Sequence, residues 1–524
     1  MPKVLIADKL SAQAIDVFKQ RGVEADVKTG LSPEEILKII GEYDGLAVRS
    51  ATKATPELIK AGKKLKVIGR AGIGVDNVDI PAATAHGVVV MNTPFGNSVT
   101  TAEHAISLMM ALARQIPEAN ASTHAGKWEK NKFMGVELSG KTLGLIGAGN
   151  IGSIVADRAQ GLKMKVVAFD PFLSAERAQS LNIEKVELEE LFKRADFITL
   201  HTPLTEGTKN ILNKDSIAKC KKGVRIINCA RGGLINEADL KVALESGQVA
   251  GAALDVFEEE PAKSNPLFGM ANVVCTPHLG ASTTEAQENV AVQVAEQMAD
   301  YLTTGAVSNA LNIPSMSAED AAKLKPYLQL ADQLGSFAGQ LTETGLKSVS
   351  IEFEGNASKL NTKPLTAVAL KGLLQPLIEG ANMVNAPVIA KERGIEVSAT
   401  SHDRAGDYQT LVRVTVVTEK RTRTVAGTLF GENPRIVEVN GIKLEAGLTG
   451  RMLYVNNDDK PGFIGSLGTL LGKNNINIAY FHLGRNEAGN EAIALVAVDQ
   501  EVPADVLAEI GKLPSVKQVK VLEF

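Results

Sequence analysis

The stretch that decides the fold runs from Lys141 to Asp170 and begins Lys-Thr-Leu-Gly-Leu-Ile-Gly-Ala-Gly-Asn-Ile-Gly. The residues from Thr142 to Ile146 form a short, continuous apolar run, which predicts a strand buried on both faces. Three glycines follow with the spacing G-x-G-x-x-G, and after them come a helical pattern and a second apolar run that ends at Asp170. This order predicts the first β-α-β unit of a dinucleotide-binding fold.

Each glycine of the motif has its own physical role. Gly147 permits a tight turn, Gly149 lets a pyrophosphate approach the backbone, and Gly152 lets the helix pack close to the sheet. The helix N-terminus offers free N–H groups and a partial positive charge to phosphates. The carboxylate of Asp170 can accept hydrogen bonds from a ribose diol and repels a 2′-phosphate, so the pattern favours NAD over NADP. The alternative is a plain glycine turn in an unrelated α/β unit.

Length and composition set the limits on the rest of the chain. Its 524 residues suggest three or four domains, at about 150 residues each. The net charge of −4 and the lack of a basic tract point away from nucleic acid, and no apolar run is long enough for a membrane span. The three cysteines, Cys220, Cys229 and Cys275, form neither a disulfide framework nor a metal-like pair. We expect a cytoplasmic protein without a metal site.

Residues 1–98 alternate short apolar runs with helical patterns, which predicts a parallel sheet covered on both faces. Because this region lacks a complete glycine fingerprint, we expect it to bind the substrate rather than the dinucleotide. The predicted strands are Val4–Ala7, Ala25–Lys28, Gly45–Arg49, Lys66–Arg70 and Val88–Met91.

Two of these strands end in arginine, at Arg49 and Arg70. Ligands of open α/β sheets bind at the carboxyl ends of the strands, and two guanidinium groups there suit a phosphate or a carboxylate. Backbone N–H groups of the turn at Ala71–Gly74 are a further candidate for anion binding. The alternative, which the residues alone leave open, is that both arginines are surface salt-bridge partners.

The region from 99 to 291 carries six buried-strand signals, which predict a doubly wound nucleotide-binding sheet. These strands are Thr142–Gly147, Lys165–Asp170, Phe197–His201, Val224–Cys229, Val249–Asp255 and Val273–Thr276. A long helix over Ser98–Ile116, with Ser98 as N-cap, is expected to lead into this domain, and His104 within it is expected to be structural. A second helix over Thr283–Leu302 returns the chain, so residues 1–98 and 292–314 are expected to form one discontinuous domain.

The C-terminal part changes character twice. Residues 315–450 mix helical and β-rich runs, which predicts an α+β module, with helices over Ala321–Gly339 and Leu370–Ile378. Its Ser-His-Asp-Arg segment at 401–404 is either an anion site or a plain solvated loop. Residues 451–524 follow the order β-α-β-β-α-β, which is ferredoxin-like, and an exposed edge of that sheet would invite pairing with another chain.

Three residues past strand ends of the second domain suit hydride transfer from an alcohol. His278 is the candidate base for a hydroxyl proton, and the carboxylate of Glu260 would hold its tautomer and stabilise the imidazolium. Arg231 is the candidate for gripping a substrate carboxylate and polarising the carbonyl. Because the three residues are far apart in the sequence, a structural His–Glu pair remains the alternative.

Four motifs, Gly147–Gly152, Asn228–Gly233, Asp255–Pro261 and Pro277–Gly280, jointly resemble the D-isomer-specific 2-hydroxyacid dehydrogenases. Further segments narrow the resemblance to the branch that oxidises 3-phospho-D-glycerate: Val48–Thr52, Gly69–Asp79, Asn92–Ser98 and Gly126–Glu137. The resemblance covers the whole chain. Residues 315–450 resemble the intervening domain of the long bacterial form, and residues 451–524 resemble an ACT regulatory domain. The resemblance implies NAD-dependent oxidation of 3-phospho-D-glycerate to 3-phosphooxypyruvate, the first step of L-serine biosynthesis.

The resemblance also implies a role for each matching residue. Arg231, Glu260 and His278 are implied to be catalytic, with His278 as the acid/base. The implied cofactor-binding residues are Ile73, Gly147, Gly149, Asn150, Ile151, Gly152, Asp170, Thr202, Cys229, Ala230, Arg231, Asp255, His278, Leu279, Gly280 and Ala281. The implied substrate-binding residues are Arg49, Ser50, Arg70, Asn97 and Lys132. Position 73 is often Thr in relatives, so only its backbone contact transfers.

Regulation and assembly follow from the same resemblance. Asn457, Asp459 and Asn477 match positions near an L-serine effector site, although residue 457 varies among relatives. The basic stretch Lys127–Lys132 projects to the neighbouring subunit's site in relatives, which implies a homodimer or homotetramer. Two other functions are alternatives: reduction of glyoxylate or hydroxypyruvate, which needs no phosphate grip, and an NAD-sensing binding module, which would not need the ACT-like tail.

Overall fold

The computed structural model describes residues 1–316, 318–403, 406–486 and 491–524. Within those ranges the chain forms two parallel sheets, a mixed sheet and an antiparallel sheet. None of the described helices combines the length and the apolar character that crossing a bilayer demands. The expected class, two doubly wound α/β units followed by an α+β unit and a ferredoxin-like unit, is confirmed.

The first sheet has the order β2-β1-β3-β4-β5, and all its strands are parallel. Its strands are β1 (Lys3–Ile6), β2 (Glu24–Val27), β3 (Gly45–Val48), β4 (Val67–Arg70) and β5 (Val89–Asn92). Four helices cover it: α1 (Ala12–Gln20), α2 (Pro33–Ile39), α3 (Pro56–Ala61) and α4 (Ile80–Ala85). The strands differ by at most one residue at either end from those predicted, and the apolar runs of β1, β3, β4 and β5 are almost entirely buried, whereas β2 is partly exposed.

The second sheet has the order β12-β11-β10-β9-β6-β7-β8, again all parallel. Its strands are β6 (Thr142–Ile146), β7 (Lys165–Phe169), β8 (Glu184–Lys185), β9 (Phe197–Leu200), β10 (Val224–Asn228), β11 (Val249–Leu254) and β12 (Val273–Cys275). The accompanying helices are α5 (Ser98–Arg114), α6 (Ile116–His124), α7 (Asn150–Gly161), α8 (Ala175–Ser180), α9 (Leu188–Arg194), α10 (Lys214–Ala218) and α11 (Glu237–Glu245). Sequence analysis found six of these strands and missed β8, whose two residues are exposed and carry no apolar signal.

The helix predicted over Ser98–Ile116 is in fact two helices. Gln115, in the left-handed region at φ 52°, ends α5 and precedes α6. The prediction that Ser98 is the N-cap is wrong, because Asn97 holds the cap position and the hydroxyl of Ser98 donates to the carbonyl of Pro94 at 3.0 Å. A serine inside the first turn can satisfy its hydroxyl on a carbonyl four residues back, which competes with capping.

The next helix, α12 (Thr284–Thr304), returns the chain to the first sheet as predicted. The side chain of Thr283 caps it by accepting from the N–H of Ala286 at 3.2 Å. Gly69, in β4, leaves room for this helix, since a Cβ at that position would clash with Met298. The close approach places α12 directly behind the strand that ends in Arg70.

The third sheet has the order β14-β13-β15-β16-β17-β18. Its strands are β13 (Leu346–Gly355), β14 (Glu396–His402), β15 (Thr410–Thr418), β16 (Thr422–Phe430), β17 (Asn433–Val439) and β18 (Ile442–Ala446), and its helices are α13 (Ala318–Gln340), α14 (Thr362–Leu374) and α15 (Ala386–Glu392). The helix predicted over Leu370–Ile378 begins eight residues earlier, where Asn361 caps it. His402 ends a strand rather than lying in a loop, and Arg404 of the same predicted segment lies outside the described residues.

The fourth sheet has the order β20-β21-β19-β22 and is antiparallel. It comprises β19 (Arg451–Asp458), α16 (Phe463–Lys473), β20 (Ile478–Arg485), β21 (Glu491–Val498), α17 (Ala504–Gly511) and β22 (Val516–Glu523), the predicted order of elements. The predicted exposed edge is covered only at the ends of the two edge strands, and Tyr480 and Leu483 of β20 remain exposed. Gly484 of β20 lies so close to β18 that a Cβ would clash with Lys443, and the amide of Gln340 bonds both backbone groups of Glu523 in β22, at 2.8 and 2.9 Å.

Candidate active site

The centre of the site is a hydrogen bond between His278 and Glu260. Nδ1 of His278 lies 2.7 Å from Oε2 of Glu260, and the other oxygen, Oε1, accepts from the backbone N–H of Phe257 at 3.0 Å. The carboxylate therefore fixes the ring orientation and leaves Nε2 of His278 without a protein partner among the described residues. An imidazole held in this way can take a proton at Nε2.

The backbone around His278 is held in an uncommon conformation. His278 is in the left-handed region at φ 56°, which a residue with a side chain rarely adopts. Its N–H donates to the carbonyls of Asp255 and Thr276, at 2.9 and 3.0 Å. The next two N–H groups, of Leu279 and Gly280, donate to the carboxylate of Asp255 at 2.7 and 2.8 Å. The turn is thus fastened to the end of β11 and presents the imidazole at the sheet edge.

The two partners shift each other's pKa. The hydrogen bond and negative charge of Glu260 raise the pKa of His278 above its ordinary value, against the opposing effects of burial and of Arg231. Burial alone would raise the pKa of Glu260, but the hydrogen bonds from His278 and Phe257 outweigh it and leave that pKa below its usual range. The pair therefore favours a protonated imidazole next to an ionised carboxylate, which is the state after proton uptake.

A second histidine lies behind this turn and does not face a cavity. Nε2 of His104, in α5, is 3.2 Å from Oδ1 of Asp255 and 3.2 Å from the hydroxyl of Thr276, which itself donates to Asp255 at 2.6 Å. Burial would raise the pKa of the Asp255 carboxyl, but hydrogen bonds from His104, Thr276 and Leu279 keep it below its ordinary value. The structural role expected of His104 agrees with this geometry.

Arg231 follows β10, on the same sheet edge. Its Nε lies 3.2 Å from Oδ2 of Asp76, in the loop after β4, and its Nη1 donates to the carbonyl of Ala230 at 2.6 Å. A Cβ at Gly74 would clash with the Arg231 guanidinium, so the glycine makes room for it. The contact with Asp76 connects the two parallel sheets across the cleft between them.

On the opposite wall, Arg49 directly follows β3 and Arg70 is the last residue of β4. The buried carboxylate of Asp8 accepts from the N–H groups of Arg49 and Thr52, at 2.7 and 3.1 Å, and holds the turn that carries Arg49. The guanidinium of Arg70 folds over Gly72, whose φ of 145° suits glycine. Burial, with Arg231 and Arg49 as like-charged neighbours, lowers the pKa of Arg70 to about 10, so this group remains cationic at neutral pH.

Two adjoining cavities lie in the cleft between the two parallel sheets. One, of about 370 Å³, is lined by Ile73, Asn150, Ile151, Thr202, Cys229, Ala230, Arg231, Gly280 and Ala281 among others. The other, of about 760 Å³, is lined by Arg49, Ser50, Arg70, Asn97 and Glu260 among others. His278 lines both. The imidazole is therefore placed where the contents of the two cavities meet.

The residues at the start of α7 fit a dinucleotide. A Cβ at Gly147 or at Gly152 would clash with backbone, of His201 and of Gly147 respectively, whereas the space beside Gly149 is open. That opening is where a pyrophosphate would approach the helix N-terminus. The carboxylate of Asp170 lies beside it and accepts from the N–H of Ala148 at 2.8 Å. The observed turn agrees with the roles expected of all three glycines.

The structure leaves some predicted site residues outside the cleft. Lys132 lines neither cavity and lies 3.5 Å from Glu129 of the same chain. In the fourth sheet, Asp459 pairs with Arg485 at 2.8 Å, and the amide of Asn477 donates to Asp499 at 2.7 Å. Asn457 is buried, and its amide nitrogen donates to the carbonyl of Asp458, so its side chain is not on the surface with the other two.

Two further side chains of the cleft, Asp76 and His201, are not among the residues predicted from the sequence. Asp76 lines both cavities, and the only signal for it was an acidic residue in the loop after a predicted strand. His201, just past β9, lines the smaller cavity, with its Nε2 2.8 Å from the hydroxyl of Thr199, and burial lowers its pKa to about 3. His201 is therefore neutral, and its position at a strand end was the signal that could have singled it out. No group of three or more metal-ligating side chains is placed to hold a metal within the ranges the structure describes.

Comparison with known proteins agrees with this geometry. Residues 106–280 match the D-isomer specific 2-hydroxyacid dehydrogenase NAD binding domain. Residues 323–440 match the D-3-phosphoglycerate dehydrogenase intervening domain, and residues 451–515 match the ACT domain. The chain belongs to the D-isomer specific 2-hydroxyacid dehydrogenases and is an oxidoreductase that uses NAD.

Full-length relatives narrow the family further. D-3-phosphoglycerate dehydrogenase of Synechocystis sp. is 45% identical over 99% of this chain and 94% of its own length. The enzymes of the same name from Bacillus subtilis and Methanocaldococcus jannaschii are 44% and 43% identical, over the whole of both chains. Within its family, the chain thus falls among proteins named D-3-phosphoglycerate dehydrogenase.

Solved structures match the two parallel-sheet units. TT0316 protein from Thermus thermophilus is 35% identical, covers 59% of this chain and 99% of its own, and has a TM-score of 0.55. A glyoxylate reductase from Paecilomyes thermophila is 30% identical, covers 59% and 98%, and has the same TM-score of 0.55. These similarities agree with the assignment of the cleft to 2-hydroxyacid chemistry.

Proposed function

We propose that this protein oxidises 3-phospho-D-glycerate to 3-phosphooxypyruvate with NAD, the first step of L-serine biosynthesis. The observation that carries the proposal is the convergence of the His278–Glu260 pair with Arg49 and Arg70 on one cavity of the cleft. A His–carboxylate pair can transfer a proton. Two further arginines can bind a phosphate, which is a group that a simple 2-hydroxy acid does not have.

The chain's own residues have distinct tasks in this reaction. Nε2 of His278 takes the hydroxyl proton of the substrate, and Glu260 stabilises the imidazolium that results. Arg231 binds the substrate carboxylate and polarises the forming carbonyl. NAD held at the glycine turn and along the smaller cavity would supply the acceptor for the hydride from C2 of the substrate. In the reverse direction, the protonated His278 returns its proton to the oxygen.

We assign cofactor and substrate contacts to the two cavities. The smaller would hold the nicotinamide side, against Ile73, Thr202, Cys229, Ala230, Arg231, Asp255, His278, Leu279, Gly280 and Ala281. The glycine turn would hold the pyrophosphate on Gly147, Gly149, Asn150, Ile151 and Gly152, and Asp170 would bind the adenosine ribose. The larger cavity would hold the phosphate and carboxylate of the substrate near Arg49, Ser50, Arg70 and Asn97. The buried position of Arg70 supports this, because a guanidinium taken out of water favours an anionic partner.

The direct test is NADH formation followed by absorbance when purified protein receives NAD and 3-phospho-D-glycerate. We expect turnover with this substrate, and kcat/KM at least tenfold lower with D-glycerate, which lacks the phosphate. Arg70→Gln should lower kcat/KM by a larger factor for the phosphorylated substrate than for D-glycerate, which keeps the carboxylate but lacks the phosphate. The exposed Arg393→Gln, in the third-sheet unit, is the matched control for loss of one arginine. No NADH formation by the wild type would refute the proposal.

We also propose a division into domains along the four sheets. Residues 1–98 and 292–314 would form the substrate-binding domain, and residues 99–291 the NAD-binding domain. Residues 315–450 would be the intervening regulatory domain and residues 451–524 the ACT domain. The return of α12 to the first sheet, through the close contact of Met298 with Gly69, supports a discontinuous first domain.

A homo-oligomer is the assembly that the surface supports. Ile116, Trp128 and Met134, in and after α6, are exposed apolar side chains on one segment, and Trp128 is 88% exposed. Several exposed large apolar side chains on one segment are typical of a protein interface. We propose that two chains pair through this segment, as a dimer or within a tetramer, and that Lys132 then reaches the partner's cleft. Light scattering should give at least a dimer, and Trp128→Glu should shift it towards monomer.

L-serine is the effector we propose for the ACT unit, at Asp459 and Asn477, with Asn457 contributing beneath the surface. The side chain of Asn477 is exposed, and that of Asp459 lies at the start of the turn before α16. Titration of L-serine into the NADH assay should lower the rate, and Asp459→Asn should weaken that response. Glu501→Gln, an exposed acid of the same sheet unit, serves as control. A rate unchanged up to millimolar serine would remove this part of the proposal.

The state of the cysteines supports a reducing compartment. Cys220, Cys229 and Cys275 are all free, and burial raises the pKa of the Cys220 and Cys229 thiols well above the ordinary value. Thiols with such high pKa values remain protonated and unreactive at neutral pH. We propose the cytoplasm as the place where this protein works, and imaging of a fluorescent fusion in the native cell would test it.

A further inference from the structure

The contact between Asp76 and Arg231 is one that the proposed reaction does not use. Asp76 belongs to the loop after β4 of the first sheet, and Arg231 to the loop after β10 of the second. Oδ2 of Asp76 lies 3.2 Å from Nε of Arg231, although the two residues are 155 positions apart. Asp76 is 77% exposed at its side chain, so little besides this contact holds it in place.

The contact determines which edge of the guanidinium stays available. Nε of Arg231 is engaged by Asp76, and Nη1 donates one hydrogen to the carbonyl of Ala230. A guanidinium carries five N–H donors in a rigid plane, so three remain, one on Nη1 and two on Nη2, and the terminal edge lies between these two nitrogens. That edge can meet a carboxylate through two parallel hydrogen bonds. The contacts with Asp76 and Ala230 hold the plane of the Arg231 guanidinium from two sides. The Arg231 side chain, which carries the free edge, lines the smaller cavity.

The charges of the cleft supply a second reason for an acid at this position. Arg49, Arg70 and Arg231 all carry positive charge, and Arg231 and Arg49 both disfavour the charged form of Arg70. Asp76 acts in the opposite direction on Arg70. An acid that contacts Arg231 and also favours the charged state of Arg70 reduces the repulsion between two cationic groups that must both face an anionic substrate.

We propose that Asp76 is a positioning residue, which holds Arg231 by its Nε so that the terminal edge of the guanidinium meets the substrate carboxylate. This inference rests on the proposed function, because it assigns Arg231 to that carboxylate. Asp76 keeps its contact when substrate is bound, since the substrate uses the opposite edge. The acid therefore adds to the affinity for a carboxylate although its own charge is negative.

The test is a double-mutant cycle between Asp76→Ala and Arg231→Lys. Lysine keeps the positive charge but has no planar fork, so a contact with Asp76 cannot orient a second donor edge towards the substrate. We expect Asp76→Ala to raise KM for 3-phosphoglycerate about three- to tenfold, with KM for NAD changed less than twofold. In the Arg231→Lys background, the same change should alter KM less than twofold. If that background is too slow to assay, calorimetric binding of 3-phosphoglycerate to the same four proteins gives the same cycle.

Two further variants separate positioning from other roles. Asp76→Glu keeps an acid within reach of Nε and should recover most of the lost affinity, and Asp16→Ala, an exposed acid of the same sheet unit, should change nothing. A lower KM for Asp76→Ala would mean that the acid competes with substrate, and equal losses in both backgrounds would mean that it acts independently of Arg231. Either result overturns the inference. A wild type that forms no NADH refutes the proposed reaction instead, so the two failures are distinguishable.

Discussion

Two histidine–carboxylate pairs lie near one edge of the second sheet, and they differ chiefly in exposure. In the pair at the cleft, His278 is 53% and Glu260 34% exposed at the side chain, and the atoms are 2.7 Å apart. In the pair behind it, His104 is 19% and Asp255 1% exposed, at 3.2 Å. The first imidazole has an unpartnered nitrogen facing a cavity, whereas the second uses its Nε2 on Asp255 and Thr276.

Contact with a carboxylate therefore does not by itself make a histidine catalytic. Proton exchange needs a ring nitrogen that substrate can reach, and only the cleft pair offers one. Asp255 bonds backbone N–H groups of the turn that carries His278, so the buried pair supports the exposed one. Four experiments test this difference between the two pairs.

The largest effect is expected for His278→Gln. This change removes the proposed base at the cleft while glutamine still offers a polar group to Glu260, so kcat should fall by about 10²- to 10⁴-fold. Steady-state NADH formation measures it, and the exposed His86→Gln is the matched control. Activity above a tenth of the wild-type value would show that the cleft pair is not the proton-transfer group.

Glu260→Gln should reduce kcat by about 10- to 100-fold, because the imidazolium loses its charged partner. The same substitution should also change the pH dependence of kcat. Oxidation needs neutral His278, so the rate falls as the pH drops through the pKa of His278, which Glu260 raises. Without that charge the pKa falls, and the acid limb of kcat should move to lower pH. If the acid limb did not move, the charge of Glu260 would not control the pKa of His278.

His104→Leu should mainly affect stability, because it removes one donor from the buried carboxylate of Asp255. The cost should be about 1–2 kcal/mol, seen as a lower temperature of the corresponding transition in calorimetry. The acid limb of the pH profile should not move. His104→Gln, which can still offer a donor, should be closer to the wild type. A shift of the limb in either variant would mean that the buried pair takes part in the proton step.

The smallest effect is expected in the pH dependence of stability. The pKa of His278 is raised in the folded state, so the cleft pair stabilises the fold fully below the ordinary histidine pKa of about 6.5, and this stabilisation is lost as the pH rises through the folded-state value. Because both side chains are partly exposed, the contribution should stay below about 1 kcal/mol. The difference in urea midpoint between the wild type and His278→Gln should therefore shrink from pH 5.5 to pH 9. A difference that grows with pH would contradict the raised pKa.

Predictions from the sequence were most accurate where the pattern was confined to a few neighbouring residues. The glycine spacing at 147–152 predicted the turn, and fully buried apolar runs predicted strands β1, β3 and β9 to within a residue. Predictions failed where the sequence pattern was weak or was compatible with two local structures. The two exposed residues of β8 carry no apolar pattern, and Ser98 is an equally plausible cap and first-turn residue until its hydroxyl is seen bonding Pro94.

The sequence by itself determined the class of the fold and the dinucleotide motif, which follow from strand and helix periodicity and from the special geometry of glycine, acting over a few residues. It named Arg231, Glu260 and His278 only as candidates for hydride chemistry. Only the tertiary structure brought Glu260 and His278 together, left His104 buried and placed Asp76 against Arg231, 155 positions away. The physical reason is that side-chain exposure and distance across a cleft depend on how whole sheets pack, which no local pattern specifies.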